Sequence, residues 1–146
     1  MFVDELEERI TEYSTFITNT LQPQLKQAVT AREETEEEIC EYFKLRNSLQ
    51  MIIDSNIDDA KPINTFVDIS HQTLFCNATI SNPLTVYVNI GFGFHVEFTI
   101  NEAISFIDKR ILYLKNDVLK HRSEVATTIA EDVEKALAVL EEFKAA

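Results

Sequence analysis

Residues that interrupt secondary structure are scarce in this sequence: two glycines and three prolines are spread over 146 residues. Turns depend heavily on glycine and proline. A chain with so few of them can build only a few turns, so we expect long uninterrupted elements. The length fits one domain. Within it we assign residues 1–56 to an N-terminal helix, 62–100 to β-hairpins and 101–146 to a C-terminal helix.

Apolar residues recur in steps of four and three along the N-terminal segment, as in the seam of a coiled coil. The positions of this stripe are Leu6, Ile10, Tyr13, Ile17, Leu21, Leu25, Ala28, Thr35, Ile39, Tyr42, Leu49 and Ile53, with Arg32 and Arg46 filling two gaps. The stripe predicts a helix over about residues 4–54. Pro23 predicts a kink or a break, because proline removes a backbone hydrogen bond and clashes with the preceding turn. Consecutive steps of four at Ile17, Leu21 and Leu25 indicate local unwinding of the supercoil.

A second stripe of this kind runs along the C-terminal segment. Its positions are Ile104, Ile107, Ile111, Leu114, Val118, His121, Val125, Ile129 and Val133, of which the last three step by fours. The segment opens with a capping box, in which Thr99 is the N-cap and Glu102 reaches back from the third helical position. We expect the two helices to pair as an antiparallel coiled coil, with their irregular steps roughly opposite each other.

Between the helices, apolar and polar residues alternate with the period of two that is typical of strands with one buried face. Three such runs cover residues 74–80, 84–90 and 94–100, and a shorter one covers 66–69. Gly91 and Gly93 lie between the last two runs. A dinucleotide-binding loop would need a third glycine where Val96 lies, followed by a helix. We therefore interpret the two glycines as hairpin-turn residues that supply positive φ.

The predicted strands lack cover within one chain. Hairpins of two strands are marginal in water, and a buried Val, Ile or Phe contributes about 1.5–3 kcal/mol only if something covers it. Open strand edges also invite pairing. We predict an α+β fold: a long antiparallel coiled coil with two central β-hairpins that join a β-barrel built from several chains. The assembly residues would be Leu74, Cys76, Ala78, Ile80, Val86, Val88, Ile90, Phe94, Val96 and Phe98.

Acidic side chains outnumber basic ones by 25 to 13. Binding to a nucleic-acid backbone or an anionic membrane needs clustered Lys and Arg, so we expect neither contact. The glutamates at positions 33, 34, 36, 37, 38 and 41 are interpreted as the solvated side of a helix, with a docking surface for a basic partner as the alternative. The N-terminus lacks the apolar segment of a secretory signal, and no apolar run approaches the ~20 residues that span a bilayer. We predict a soluble intracellular protein.

The histidines and cysteines show no spacing that would build a catalytic or metal site. His71, His95 and His121 form no metal-ligand pattern with Cys40 or Cys76, and the HExxH, CxxC and P-loop motifs do not occur. We interpret His121 as a seam residue, His95 as solvated and Cys76 as a small inward-facing core residue. Two cysteines make no disulfide framework, which favours a reducing compartment. We predict no enzyme activity, no cofactor and no metal.

The segment VNIGFGFHVEFTINEAISFIDKR, residues 88–110, resembles the strand, glycine turn, strand and capping box of the α-type subunits of prefoldin. The matching positions are Gly91, Gly93, Glu97, Thr99 and Glu102. Three stretches are most similar to a prefoldin-like subgroup of that family: YSTFI (13–17), YFKLRNSL (42–49) and GFGFHVEFT with EAISFID. The likeness covers roughly residues 13–115. Pro23 departs from the usually uninterrupted helix, and His95 replaces what is more often an aromatic residue.

This resemblance implies a chaperone role without ATP. Prefoldin-type assemblies join two α-type and four β-type subunits through a β-barrel body, and the tips of their coiled-coil arms hold unfolded clients for a chaperonin. The prefoldin-like subgroup is associated with a larger chaperone assembly and with transcriptional regulation in the nucleus. The implied partners are β-type subunits, a second α-type subunit, unfolded client proteins and a larger chaperone assembly. The implied location is the cytoplasm and the nucleus.

The chain ends should form the arm tip. Phe2, Val3 and Phe143 are the predicted client contacts, whereas Leu6 and Leu140 are expected to close the last layer of the coiled coil. Two alternatives to the prefoldin-like co-chaperone remain open. One is a coiled-coil adaptor in transcriptional regulation that holds no client, and the other is a plain prefoldin subunit that delivers cytoskeletal clients.

Overall fold

The computed structural model describes the backbone of residues 2–55 and 61–145 and the side chains of residues 7–55 and 61–144. The N-terminal helical region comprises α1 (Phe2–Phe16), a π-helical segment (Ile17–Leu21) and α2 (Gln22–Asp54). The C-terminal region comprises α3 (Ile100–Tyr113), a π-helical segment (Leu114–Leu119) and α4 (Lys120–Ala145). Between them lie β1 (Ile63–Ser70), β2 (Leu74–Ile80), β3 (Thr85–Gly91) and β4 (Phe94–Thr99). The predicted α+β class, with two long helices and two hairpins, is confirmed. None of the described helices has the length and apolar character of a membrane span.

The chain divides into two compact units, and the first consists of residues 1–40 and 112–146. In this unit Ile17 packs with Ala136 and Leu140 in a buried cluster that Ile10 and Leu21 flank. Further along the same helices, Arg122 hydrogen-bonds to Thr35. Residue numbers rise on one helix while they fall on the other, so the two helices are antiparallel, as predicted. Leu140 is buried in this layer, as expected.

The seam of the C-terminal helix departs from the predicted positions after Val118. His121 is exposed and Val125 is 39% exposed, whereas Arg122 is half-buried and Ala126 is buried. The interpretation of His121 as a seam residue was therefore wrong. The π-helical segment Leu114–Leu119 directly precedes this departure, and a π turn holds an extra residue, which rotates the side chains that follow it around the helix axis. The one-residue shift ends by Ile129, which is half-buried at its predicted position.

The irregular step of the N-terminal helix lies where the sequence placed it. Residues Ile17–Leu21 form a π-helical segment directly before Pro23, and the flanking residue Gln22 keeps helical angles (φ −63°, ψ −44°). The backbone stays helical through Pro23, so the expected break is absent, and the wider π turn accommodates the missing N–H. The irregular steps predicted at 17–25 and at 125–133 lie roughly opposite each other, because Ile17 packs on Ala136 and Leu140 while Thr35 contacts Arg122. The π-helical segment at 114–119 was not predicted. The predicted seam residue Tyr13 is exposed, and Ser14 is half-buried instead.

The second unit comprises residues 41–111. Its strands form two separate antiparallel hairpins, β1–β2 and β3–β4. The buried apolar residues of the unit are Leu49, Val88, Ile100, Ala103, Ile107 and Ile111. Arg46 of α2 binds Asp108 of α3, with 2.6 Å between Nε and Oδ1 and 3.4 Å between Nη2 and Oδ2. The hydrogen bond and the charge of Asp108 together raise the pKa of the Arg46 guanidinium.

The two hairpin turns use positive φ in different ways. Residues Gly91, Phe92 and Gly93 have φ of +104°, +53° and +78°, and the Asn89 side chain accepts a hydrogen bond from the Gly91 N–H. In the β1–β2 turn the positive angles fall on His71 and Gln72, which are not glycines. The Asp68 carboxylate accepts hydrogen bonds from the N–H groups of Ser70 and Gln72 at 3.0 and 2.8 Å and so stabilises that turn.

A capping box marks the start of α3. The Thr99 N–H donates to Glu102 Oε2 at 3.0 Å, and the Glu102 N–H donates to Thr99 Oγ1 at 3.4 Å. The Thr99 hydroxyl also donates to Glu102 Oε2 at 2.8 Å. This hydroxyl and then the Thr99 N–H lower the pKa of Glu102. Ile100 also donates a backbone hydrogen bond to the Leu84 carbonyl at 3.1 Å, which joins the start of α3 to the residue before β3.

Candidate subunit-assembly surface

The strands of the second unit expose most of the apolar residues that the sequence assigns to assembly. We call the set Leu74, Cys76, Ala78, Ile80, Val86, Val88, Ile90, Phe94, Val96 and Phe98 the assembly set. Leu74, Ile80 and Phe94 are exposed, as are Cys76, Ile90 and Val96, while Ala78, Val86 and Phe98 are half-buried. Val88 alone of this set is buried by the chain itself, at 2% exposure. The interpretation of Cys76 as a core residue of this chain was wrong, because a two-stranded hairpin leaves its thiol open to solvent.

The β1–β2 hairpin exposes apolar side chains on both faces. Val67 is paired with Cys76 across the strands, and both share a face with Ile80. On the opposite face Phe66 is paired with Asn77, and Phe75 with Asp68, which places the two phenylalanines diagonally across the ladder. Phe66 is 74% exposed. If this face were the solvated one, polar residues would be expected at the positions of Phe66 and Phe75. Both faces of this hairpin therefore expose apolar side chains.

The β3–β4 hairpin is partly covered by α3 and partly exposed. Val88 is paired with Val96, and Val86 with Phe98, so these four side chains share one face. The Phe98 ring stacks on Phe106 of α3, with 5.4 Å between ring centroids. This face is therefore covered in part by the chain's own helix, whereas Phe94 near the tip of the hairpin is 66% exposed.

Four exposed aromatic residues that the sequence did not assign to assembly extend the apolar surface: Phe66, Phe75, Tyr87 and Phe92. Phe75 and Tyr87 lie between residues of the assembly set, at positions that alternation assigns to the polar face. Phe92 lies in the glycine turn, where alternation assigns no face. The signal that could have found them is aromatic side chains at positions where alternation calls for polar ones.

A smaller apolar groove lies in the first unit, between α1 and α4. It has a volume of about 310 Å³ and is lined by Arg9, Glu12, Tyr13, Phe16 and Phe143. The Tyr13 and Phe16 rings are 6.4 Å apart. Of the predicted client contacts, Phe143 lies in this groove and is partly exposed. The side chains of Phe2 and Val3, like that of Leu6, lie outside the described residues.

The titratable groups are dispersed over the surface. Within residues 7–55 and 61–144, no group of three or more His, Cys, Asp and Glu side chains could hold a metal ion. Cys40 and Cys76 are both free thiols. The glutamates of α2 from Glu33 to Glu41 are exposed, except for the half-buried Glu38. Exposed apolar side chains occur on the helices, such as Met51 and Leu112, and on the strands, where cross-strand pairing brings several of them together.

Known proteins from several organisms are similar to this chain in sequence. A UXT homolog from Nematostella vectensis is 30% identical over 122 residues, which cover 84% of this chain and 76% of that protein. A UXT homolog from Dictyostelium discoideum is 30% identical over 106 residues, covering 73% and 63%. The human protein UXT is 26% identical over 131 residues, covering 87% and 80%. The prefoldin-like subgroup indicated by the three sequence stretches is that of UXT, and the resemblance is confirmed.

A solved structure has the same fold. The cryo-EM structure of filamentous PFD from Methanocaldococcus jannaschii matches with a TM-score of 0.61, covering 84% of this chain and 96% of that one. At 13% sequence identity this match shows the shared fold alone. The family model for the prefoldin subunit matches residues 21–142, which include α2, all four strands, α3 and most of α4. The chain belongs to the prefoldin family.

Proposed function

We propose that the chain is an ATP-independent co-chaperone subunit of a prefoldin or prefoldin-like hetero-oligomer. Its partners would be β-type subunits and a second α-type subunit, and it would bind unfolded clients or help to assemble protein complexes, in part with a larger chaperone assembly. The observation that carries the proposal is the apolar surface that β1 to β4 leave exposed. Family membership supports it, since the prefoldin fold is of the chaperone type.

Covering the exposed side chains of the β1–β2 hairpin would stabilise it. Phe66, Leu74 and Phe75 are more exposed than buried, and covering one such side chain contributes about 1.5–3 kcal/mol. An isolated hairpin is marginally stable in water. This contribution is therefore a large fraction of the free energy that would stabilise the hairpin. Strands from another subunit would supply the cover and also satisfy the open hairpin edges.

The groove lined by Tyr13, Phe16 and Phe143 supports a client-binding role. An aromatic groove of about 310 Å³ accepts an apolar side chain of an unfolded chain, and Arg9 and Glu12 border it with both signs of charge. Such binding needs no bound nucleotide, metal or cofactor. We therefore propose a function of binding and release and no enzyme activity. The proposed location is the cytoplasm and the nucleus, which imaging of the tagged chain would test.

Assembly is tested by mixing the chain with β-type prefoldin subunits of the same organism and measuring the mass in solution. We expect a hetero-oligomer. Leu74→Ser and Leu112→Ser form a matched pair, because the two leucines are 56% and 61% exposed but only Leu74 lies on a strand. Leu74→Ser should weaken assembly and Leu112→Ser should not. A parent chain that stays monomeric and folded with those subunits would contradict the proposal.

Client binding is tested separately, by following the aggregation of a chemically unfolded protein in the presence of the assembled complex. A co-chaperone should suppress aggregation without ATP, and Phe143→Ser should reduce that effect. An assembled complex that leaves aggregation unchanged would instead favour the adaptor in transcriptional regulation. A partner set limited to the subunits of prefoldin itself would favour the plain prefoldin subunit.

A further inference from the structure

The tip of the β3–β4 hairpin carries a bulky residue in an unfavourable position. Phe92 lies between Gly91 and Gly93 and has a φ of +53°. Its side chain is fully exposed, at 102% of the reference area. Left-handed backbone is uncommon for residues other than glycine, asparagine and aspartate, and it is least favourable for bulky ones. The turn places a large aromatic side chain where glycine or asparagine would suit the backbone better.

This arrangement gives no benefit to the fold of the chain itself. A fully exposed ring buries no apolar area, so it supplies no hydrophobic stabilisation. The surroundings are also open: a Cβ atom added at Gly91 or Gly93 would meet nothing within 4 Å. Backbone strain and an exposed aromatic ring at one residue indicate a role outside the isolated chain.

The Phe92 ring is too small to form a stable interface by itself. A phenylalanine side chain buries about 150–250 Å², whereas a stable interface buries about 800 Å² on each partner. Phe92 alone is too small to hold a partner, so it must belong to a larger contact. The neighbouring strand residues Ile90 and Phe94 are exposed and continue the apolar surface from the tip. The partner that covers Phe92 is therefore the one that covers β3 and β4.

We propose that Phe92 is an anchor of the subunit interface, and that its ring enters an apolar pocket of the β-type subunit that covers the β3–β4 hairpin. This inference rests on the proposed function, because it requires that assembly takes place through the strands. Anchors of this kind are commonly aromatic, and a few of them carry most of the binding energy of an interface. The two flanking glycines allow the tip to hold the ring away from the hairpin.

The test uses the full-length variants Phe92→Gly, Phe92→Asn and Phe92→Tyr with β-type subunits of the same organism. Glycine and asparagine both relieve the left-handed backbone, so these two variants should resist urea at least as well as the parent chain. They should nevertheless bind the β-type subunit at least about tenfold more weakly, since removing a hot-spot aromatic residue commonly costs that much or more. Phe92→Tyr keeps the ring and should bind within about threefold of the parent.

Opposite effects on folding and on binding distinguish an anchor from a residue that merely holds the turn. Phe92→Gly and Phe92→Asn variants that bind as tightly as the parent would overturn the anchor and leave the proposed function standing. Variants that lose only the self-association of this chain would show that the pocket belongs to a second copy, and so overturn the assignment to the β-type subunit. A parent chain that forms no hetero-oligomer would overturn the proposed function and the anchor with it.

Discussion

Replacing Arg122 by methionine should destabilise the first unit by about 2 kcal/mol. Arg122 Nη1 donates to the Ala31 carbonyl at 2.5 Å and to Thr35 Oγ1 at 2.7 Å, and thereby joins the two antiparallel helices. Thr35 is buried, with 1% exposure. A hydrogen bond from a charged donor contributes about 1.5–3 kcal/mol, while methionine keeps much of the apolar stem. The measurement is urea unfolding of the full chain followed by circular dichroism, where the midpoint should fall by about 1 M.

Arg32→Met is the matched control, because Arg32 is also half-buried but its Nε lies 3.6 Å from Glu36 on its own helix. A pair of that kind contributes about 0–1 kcal/mol, and the buried Arg32 Nε has no hydrogen-bond partner among the described residues, so the midpoint should not fall. A double-mutant cycle with Thr35→Val isolates the bond between the helices. Equal midpoints for Arg122→Met and Arg32→Met, or a cycle without coupling between Arg122 and Thr35, would refute the reasoning.

Three further predictions concern the turns and the cap. Gln72→Gly should stabilise the chain by about 1 kcal/mol in urea unfolding, because glycine accepts the φ of +66° without steric cost; a lower midpoint would contradict it. Thr99→Ala should cost about 1 kcal/mol through loss of the N-cap, whereas Thr99→Ser should restore most of that loss. The pKa of Glu102 is lowered from 4.5, so its stabilising contribution is complete above pH 4.5 and is lost as pH falls through the lower folded-state value. Glu102→Gln should remove that component from a plot of stability against pH, and an unchanged plot would contradict the assignment.

The sequence was sufficient for the elements of the fold because each has a period of its own. Steps of three and four predicted both helices, alternation predicted the strands, and TINE (residues 99–102) contains the capping box that the structure shows. The seam after Val118 could not be placed in this way. A π-helical segment shifts later side chains by one residue, and that shift exchanged His121 for Arg122 and Val125 for Ala126. Apolar spacing counts residues and does not report how many form a turn.

The apolar surface was harder to predict, for a different reason. Alternation assumes that one face of a strand is buried and the other solvated. Phe66 and Phe75 break that assumption on the β1–β2 hairpin, because they lie opposite the face that carries Val67 and Cys76. Phe92 lies in a turn, where alternation says nothing. Burial by a partner chain leaves no mark of its own in a single sequence, so exposed aromatic residues become visible only once the strands are placed.

The distribution of satisfied and unsatisfied surface explains why assembly is assigned to the strands and not to the helices. Along the paired helices of the first unit, apolar side chains such as Ile17 and Leu140 are buried, and the polar Thr35 has its partner in Arg122. These seam residues are covered within one chain. The hairpins of the second unit lack such completion, since Phe66 and Phe94 remain mostly exposed. This chain buries its helical seam but leaves apolar side chains and strand edges of its hairpins exposed. A partner that contributes strands would cover both and would therefore stabilise the chain most.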